Sequence, residues 1–204
     1  LAQGITEIRG DIVGDASYFG GTSVGVGWQE SYMNASYAAP ASALSFNDNI
    51  VTLRILPAEQ PNWRPRVQVI PGGEGVGIVN QATTRAGNRV ALQVGRVSYD
   101  GPIVVRGAIP PGHPGMWRAV PVADPARYTA AVVREVLEKR GIRVAGGIRA
   151  VQREAESPLT GRSVFAPAFD GKSALTVLAV HQSPPLLNIL EVVNKKSHNL
   201  YAEL

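Results

Sequence analysis

A hydroxyl and a carboxamide stand close together near the end of this chain, at Ser197 and Asn199, beside the cations Lys195 and Lys196. Such a pair can relay a proton and orient an amide carbonyl. A hydroxyl both donates and accepts, and a carboxamide offers two donors beside its acceptor oxygen. On a helix these two positions point to nearly opposite sides; in an extended turn they share a face. They fall between two helical stretches, where a turn is expected, and the lysines would make its rim positive. On spacing alone the segment reads as a solvated, basic helix–helix turn with Ser197 as an N-cap.

The other candidates are weaker. Asp11 and Asp15 could be paired carboxylates, but an extended segment places them on one face and far apart. Turn capping is the preferred reading for Asp11. His113, His181 and His198 have no second histidine or carboxylate at ligand spacing, and there is no H-E-x-x-H. No metal or other cofactor is expected. His113 and His181 read as structural or solvated. Gly72, Gly73, Gly75 and Gly77 lie between β-alternating residues, so they predict a hairpin loop and not a nucleotide fingerprint. Asn34-Ala35-Ser36 fits a glycosylation acceptor, a short pattern that occurs often by chance.

These residues sit in a chain of 204 with 22 Gly, 15 Pro and no Cys, 45% hydrophobic and 18% charged. That is a globular composition. The absence of Cys removes disulfides, Cys-ligated zinc, iron–sulfur clusters and thiol catalysis. No apolar run is long enough to span a membrane. The net charge of +4 comes from scattered arginines with few aromatics beside them, so nucleic acid is not an expected partner. Neither Leu1 nor Leu204 looks like a natural terminus, and the chain reads as a segment of a longer protein.

Several elements must position the candidates. Ile5 to Asp15 predicts one or two strands, and residues 20–39 predict a loop. Ile50 to Leu56 alternates as a half-buried strand, and β patterns continue through Val67–Val69, Val90–Val94 and Ile103–Val105. Together they predict a small antiparallel module ending in the rigid Pro110–Gly115 stretch. Asp124-Pro125 then opens a helix that Gly141 stops, with Ile142–Val144 as the next strand. Residues 155–173 are polar and turn-rich. Leu175 to Val180 reads as a buried strand, and Pro184-Pro185 precede a helix. The sum is an α/β (α+β) chain: an inserted α/β lobe carrying a nested antiparallel β lobe. The expected divisions are 1–56 and 119–174 for the α/β lobe, 57–118 for the β lobe, and 175–204 for a returning domain.

Asn194-Lys195-Lys196-Ser197-His198-Asn199-Leu200-Tyr201-Ala202-Glu203 resembles the second active-site motif, S-x-N, of the class C low-molecular-mass penicillin-binding proteins. These are the D-alanyl-D-alanine carboxypeptidases/endopeptidases. Gly10–Phe19 (GDIVGDASYF) and Ala43–Asn49 (ALSFNDN) look like further stretches of the same family. The Asp124-Pro125 helix with Gly141-Ile142, and Ser183-Pro184-Pro185-Leu186, also fit. The matches are in order and span nearly the whole chain.

The resemblance implies a serine β-lactamase/penicillin-binding-like parent fold. In that family a long insertion separates the nucleophile's S-x-x-K from S-x-N, and K-T-G follows. This chain has neither S-x-x-K nor K-T-G, so the resemblance implies an insertion plus one catalytic motif, inactive without the activated serine. It implies that Ser197 relays a proton toward the leaving D-Ala nitrogen and that Asn199 binds the substrate's amide carbonyl. It implies that Asp15 holds the free amino group of the stem-peptide side chain. The implied partners are a peptidoglycan stem peptide and β-lactams as covalent inhibitors, and the implied location is exported, periplasmic or cell-envelope associated. The alternative is a non-catalytic envelope protein that uses the insertion to bind cell wall.

Overall fold

A computed structural model describes residues 4–159 and 176–204. In chain order the strands are β1 (Glu7–Ile8), β2 (Ile12–Asp15), β3 (Ile50–Leu56), β4 (Arg66–Ile70), β5 (Ile78–Thr84), β6 (Ala91–Gly95), β7 (Ile103–Ile109) and β8 (Met116–Pro121). Helix α1 (Pro125–Lys139) follows, then β9 (Arg143–Val144) and β10 (Ile148–Val151), and the helices α2 (Leu186–Lys196) and α3 (Asn199–Glu203) come last. This is a mixed α/β architecture.

The α/β part joins the start of the chain to its middle. β9 lies parallel to β1 and β10 parallel to β2. Helix α1 packs on β2 and β10. Its start follows the sequence rule: the Asp124 side chain accepts from the Arg127 N–H at 2.9 Å, with Pro125 as the first helical residue. Gly141 ends it with φ +83°. Close packing needs Gly14 on β2, where a Cβ would lie 2.1 Å from the Ala126 carbonyl oxygen of α1.

Two three-stranded sheets make up the β part. One is antiparallel, in the order β4-β3-β8. Val51, Leu53 and Ile55 of β3 are fully buried and alternate with half-buried Thr52 and Arg54, as the period of two requires. The other sheet has the order β5-β7-β6. Here the structure corrects the expected antiparallel lobe: β6 and β7 are antiparallel, but β5 and β7 run parallel. The later strand β7 has slipped between β5 and β6, and chain-local turn signals do not report such an insertion. Val51, Leu53 and Ile55 share one core with Ala82, Ile103 and Val105 of the second sheet and Tyr128 and Val132 of α1.

Two further expectations change. The glycines at 72–77 do not form a hairpin, because β4 and β5 belong to different sheets. They let the crossing chain lie on α1: a Cβ on Gly75 would sit 2.8 Å from the Ala131 Cβ. The strand expected at Leu175–Val180 is absent over 176–180, where Val177, Leu178 and Val180 are exposed and in no ladder. Leu175 and the part of the polar 155–173 stretch from residue 160 onward lie outside the described residues. The Pro110–Gly115 stretch joins the two sheets as a turn, with His113 Nδ1 accepting from the Gly115 N–H at 3.1 Å. Among the described residues no helix is long and apolar enough to cross a membrane.

Candidate active site

Ser197 and Asn199 lie at the junction of α2 and α3, the turn that their position predicted. Ser197 closes α2 in the left-handed conformation, φ 49° and ψ 50°. Its N–H and that of His198 both turn back to the Val193 carbonyl. This is the wrapped helix end that usually uses glycine. Asn199 opens α3. Both side chains are exposed at the surface, whereas the next residue, Leu200, is buried. One expectation fails: Ser197 is not the N-cap. His198 takes that place, its Nδ1 accepting from the Tyr201 N–H at 3.4 Å.

The turn is held from the earlier chain. Asn199 Nδ2 donates to the Tyr37 carbonyl at 3.0 Å. His198 Nε2 lies 3.6 Å from Asp48 Oδ2, and its ring packs against Tyr201 at a tilt of 41°, with 4.1 Å between ring centres. Burial and then the Asp48 carboxylate push the Tyr201 phenol above its ordinary pKa. Asp48 reaches this position because Asn47, Asp48 and Asn49 all adopt left-handed backbone, with φ 52°, 53° and 55°, a region that Asn and Asp tolerate better than other side-chain-bearing residues. Fully buried Asn49 pins that turn by donating to the Pro40 carbonyl at 2.9 Å and to Ser45 Oγ at 3.0 Å. Tyr37, Asp48 and Tyr201 were not singled out from the sequence. The signals were that Asp48 falls inside the Ala43–Asn49 stretch and Tyr201 inside the Asn194–Glu203 stretch.

On the basic rim, Lys195 pairs with Glu191 one helical turn back. Lys196 is exposed.

Asp15 ends β2. Its Oδ1 accepts from the Ser17 N–H at 3.0 Å, and its Oδ2 accepts from the Ser157 hydroxyl. Partial burial raises its pKa, but these hydrogen bonds more than offset that and hold it below its ordinary value. Asp11 does not join it. Asp11 accepts from the Gly147 N–H at 2.8 Å and pairs with Arg149 at 3.1 Å, so it ties the start of β2 to the β9–β10 connection instead of capping its own turn.

A cleft of about 440 Å³ opens beside Asp15. Ala16, Tyr18 and Phe19 line one side, Ser42 lies between, and Glu203 and Leu204 close the end of α3. The cleft touches Ala16, next to Asp15, and the far end of α3, while Asp15, Ser197 and Asn199 are not among its lining residues. Among the described residues no group of His, Cys, Asp or Glu is arranged to hold a metal ion. Ser197 and Asn199 present a hydroxyl and a carboxamide on one exposed turn, and Asp15 presents a carboxylate held below its ordinary pKa at the end of β2, with no contact between the two.

This chain is similar to known proteins in sequence and in fold. It is 26% identical over 216 residues to a D-alanyl-D-alanine carboxypeptidase of Actinomadura sp., covering 100% of this chain and 36% of that protein. It is 23% identical to the D-alanyl-D-alanine carboxypeptidase DacB of Haemophilus influenzae, over 98% of this chain and 38% of that protein. The chain therefore spans less than two fifths of the length of these relatives. Its fold matches crystallised penicillin binding protein 4 from Haemophilus influenzae with a TM-score of 0.69 at 22% identity, over 98% of this chain and 41% of that one. A second structure of that protein, complexed with a novel β-lactam, matches with a TM-score of 0.58 at 19% identity, over 98% and 39% of the two chains. The family described as D-Ala-D-Ala carboxypeptidase 3 (S13) matches residues 1–204. The chain belongs to that family.

Proposed function

We propose that this chain supplies the S-x-N motif and the inserted lobes of a serine-type D-alanyl-D-alanine carboxypeptidase/endopeptidase acting on peptidoglycan stem peptides. The lobes divide near residues 56, 118 and 174. The nucleophile comes from an S-x-x-K motif outside these 204 residues, and the protein works in the cell envelope. Its serine attacks the carbonyl of the D-Ala–D-Ala bond, the terminal D-Ala leaves, and water releases the acyl-enzyme.

The observation that carries this reading is the tethering of Asn199. One N–H of its Nδ2 is committed to the Tyr37 carbonyl. The second N–H and the Oδ1 remain on an exposed side chain whose orientation is fixed. The free N–H suits a substrate amide carbonyl, and the Oδ1 suits the ammonium of the nucleophile's lysine. Ser197, on the same turn, passes a proton to the leaving nitrogen. Asp15 stays ionised and faces the free amino group of the stem-peptide side chain. β-Lactams enter as covalent inhibitors by the same acylation.

Labelling with a fluorescent penicillin tests the reading, on this chain and on the full-length protein, read by mass shift. The expected result is an adduct on the full-length protein alone, formed far more slowly after Ser197→Ala with the fold retained. Unchanged acylation in that variant removes the role of Ser197. If neither protein is labelled, a non-catalytic cell-wall-binding protein becomes the better reading.

A further inference from the structure

The segment that holds Asn199 is itself fixed from the β5-β7-β6 sheet. Three residues before Tyr37, Asn34 grips the end of β6. Its Nδ2 donates to the Arg96 carbonyl at 2.9 Å, and its Oδ1 accepts from the Arg96 N–H at 2.6 Å. One side-chain amide thus satisfies both backbone groups of a residue 62 positions away. Gly95 makes the approach possible, since a Cβ there would lie 2.8 Å from the Asn34 Cγ. As an acceptor for glycosylation Asn34 is poorly placed, because its amide is engaged.

Arg96 adds a second tie. Its side chain is buried, and Nη2 donates to the Met33 carbonyl at 3.3 Å. Its Nε and Nη1 are buried with no hydrogen-bond partner among the described residues. An apolar side chain of similar volume would serve stability better than a buried guanidinium with unpaired donors. Asp100 offsets part of the cost of burying the charge, and the hydrogen bond that the guanidinium makes among the described residues holds Met33.

The path from Asn34 to Tyr37 has little slack. The Ala35 N–H donates to the Tyr32 carbonyl at 2.8 Å, and the Ala38 N–H to the Ala35 carbonyl at 2.9 Å. The rings of Tyr32 and Tyr37 meet edge to face at 6.0 Å. This short turn packs against α3 on one side and β8 on the other.

We propose that Asn34 and Arg96 are positioning residues for Asn199, acting through the Met33–Tyr37 segment, so that the inserted β lobe braces the S-x-N turn. The inference rests on the role of Asn199 proposed above.

The test has two arms. In the ¹⁵N-labelled full-length protein, the Asn199 side-chain amide pair is identified by its loss in Asn199→Ala. Asn34→Ala is expected to shift or broaden that pair. Leu92→Ala, which removes core volume from the same strand without touching Asn34, is expected to leave it in place. In the full-length protein, Asn34→Ala is expected to slow penicillin acylation by roughly tenfold or more, the scale of a misplaced catalytic group. Leu92→Ala is expected to acylate normally. An Asn199 pair that does not move in Asn34→Ala overturns the brace. So does normal acylation in that variant. If Asn199→Ala itself acylates normally, the role of Asn199 fails, and the positioning claim falls with it even where the amide coupling persists.

Discussion

Ser157 donates its hydroxyl to Asp15 Oδ2 across 142 residues of sequence, tying the end of β2 to the turn that follows β10. The same hydroxyl accepts from the Leu159 N–H at 3.0 Å. Asp15 is therefore oriented from two sides, by Ser157 and by the Ser17 N–H. The role proposed for Asp15 requires a carboxylate that is ionised and oriented, and these two hydrogen bonds favour both.

This arrangement fixes a pH dependence. The folded pKa of Asp15 lies below its unfolded value, so its contribution to stability is present above the unfolded pKa and is lost as pH falls through the folded one. Ser157→Ala removes a charge-assisted hydrogen bond, an expected loss of about 1–2 kcal/mol at neutral pH for a partly exposed pair. The deficit should narrow as pH falls below the ordinary Asp value of about 3.9 and through the lower folded one. Urea unfolding of both proteins at several pH values measures it. A deficit of equal size at neutral and acidic pH would show that Ser157 acts without the charge on Asp15.

Gly14→Ala should be among the most damaging single-methyl additions in the chain. The added Cβ would meet the Ala126 carbonyl at 2.1 Å, on the first turn of α1, where backbone and not a movable side chain stands in the way. Overpacking of this kind costs about 1–3 kcal/mol or more. Gly10→Ala, with nothing within 4 Å of its Cβ, is the matched control. Thermal unfolding of the two variants should separate them by several degrees. Equal melting temperatures would mean that β2 and α1 part more easily than their contact implies.

What was legible in the sequence follows what is local. Val51, Leu53 and Ile55 alternate with Thr52 and Arg54, and β3 is buried on that side alone. Asp124, Pro125 and Gly141 bound α1 because caps act within one turn. The turn at Ser197 and Asn199 could be read for the same reason. The pairing of β5 with β7 could not, since it is decided by strands 25 residues apart in register, Ile78 against Ile103. Nor could the apolar run near Val180, where a period reports burial only if a partner exists. Within the site, the parts that stayed hidden are contacts between distant backbone and side chain. Tyr37 contributes a carbonyl, which no residue type advertises. Asp48 is aimed by three left-handed residues in a row, and Asn-rich composition signals such a turn only weakly.

The left-handed backbone of Ser197 separates stability from function at one position. A residue with a Cβ in this region carries about 1–2 kcal/mol of conformational cost, and glycine would relieve it. Such strain persists where the side chain itself is needed. Ser197→Gly should therefore leave the chain as stable as it is, or up to about 1 kcal/mol more stable, the range seen for residues matched to their backbone region. In the full-length protein the same substitution should slow penicillin acylation as severely as Ser197→Ala, because both remove the hydroxyl. Ser197→Ala keeps the strain and gains no stability. Denaturation midpoints of the two variants, measured beside their acylation rates, provide the comparison. A glycine variant that acylates normally would show that the serine is there for the turn alone.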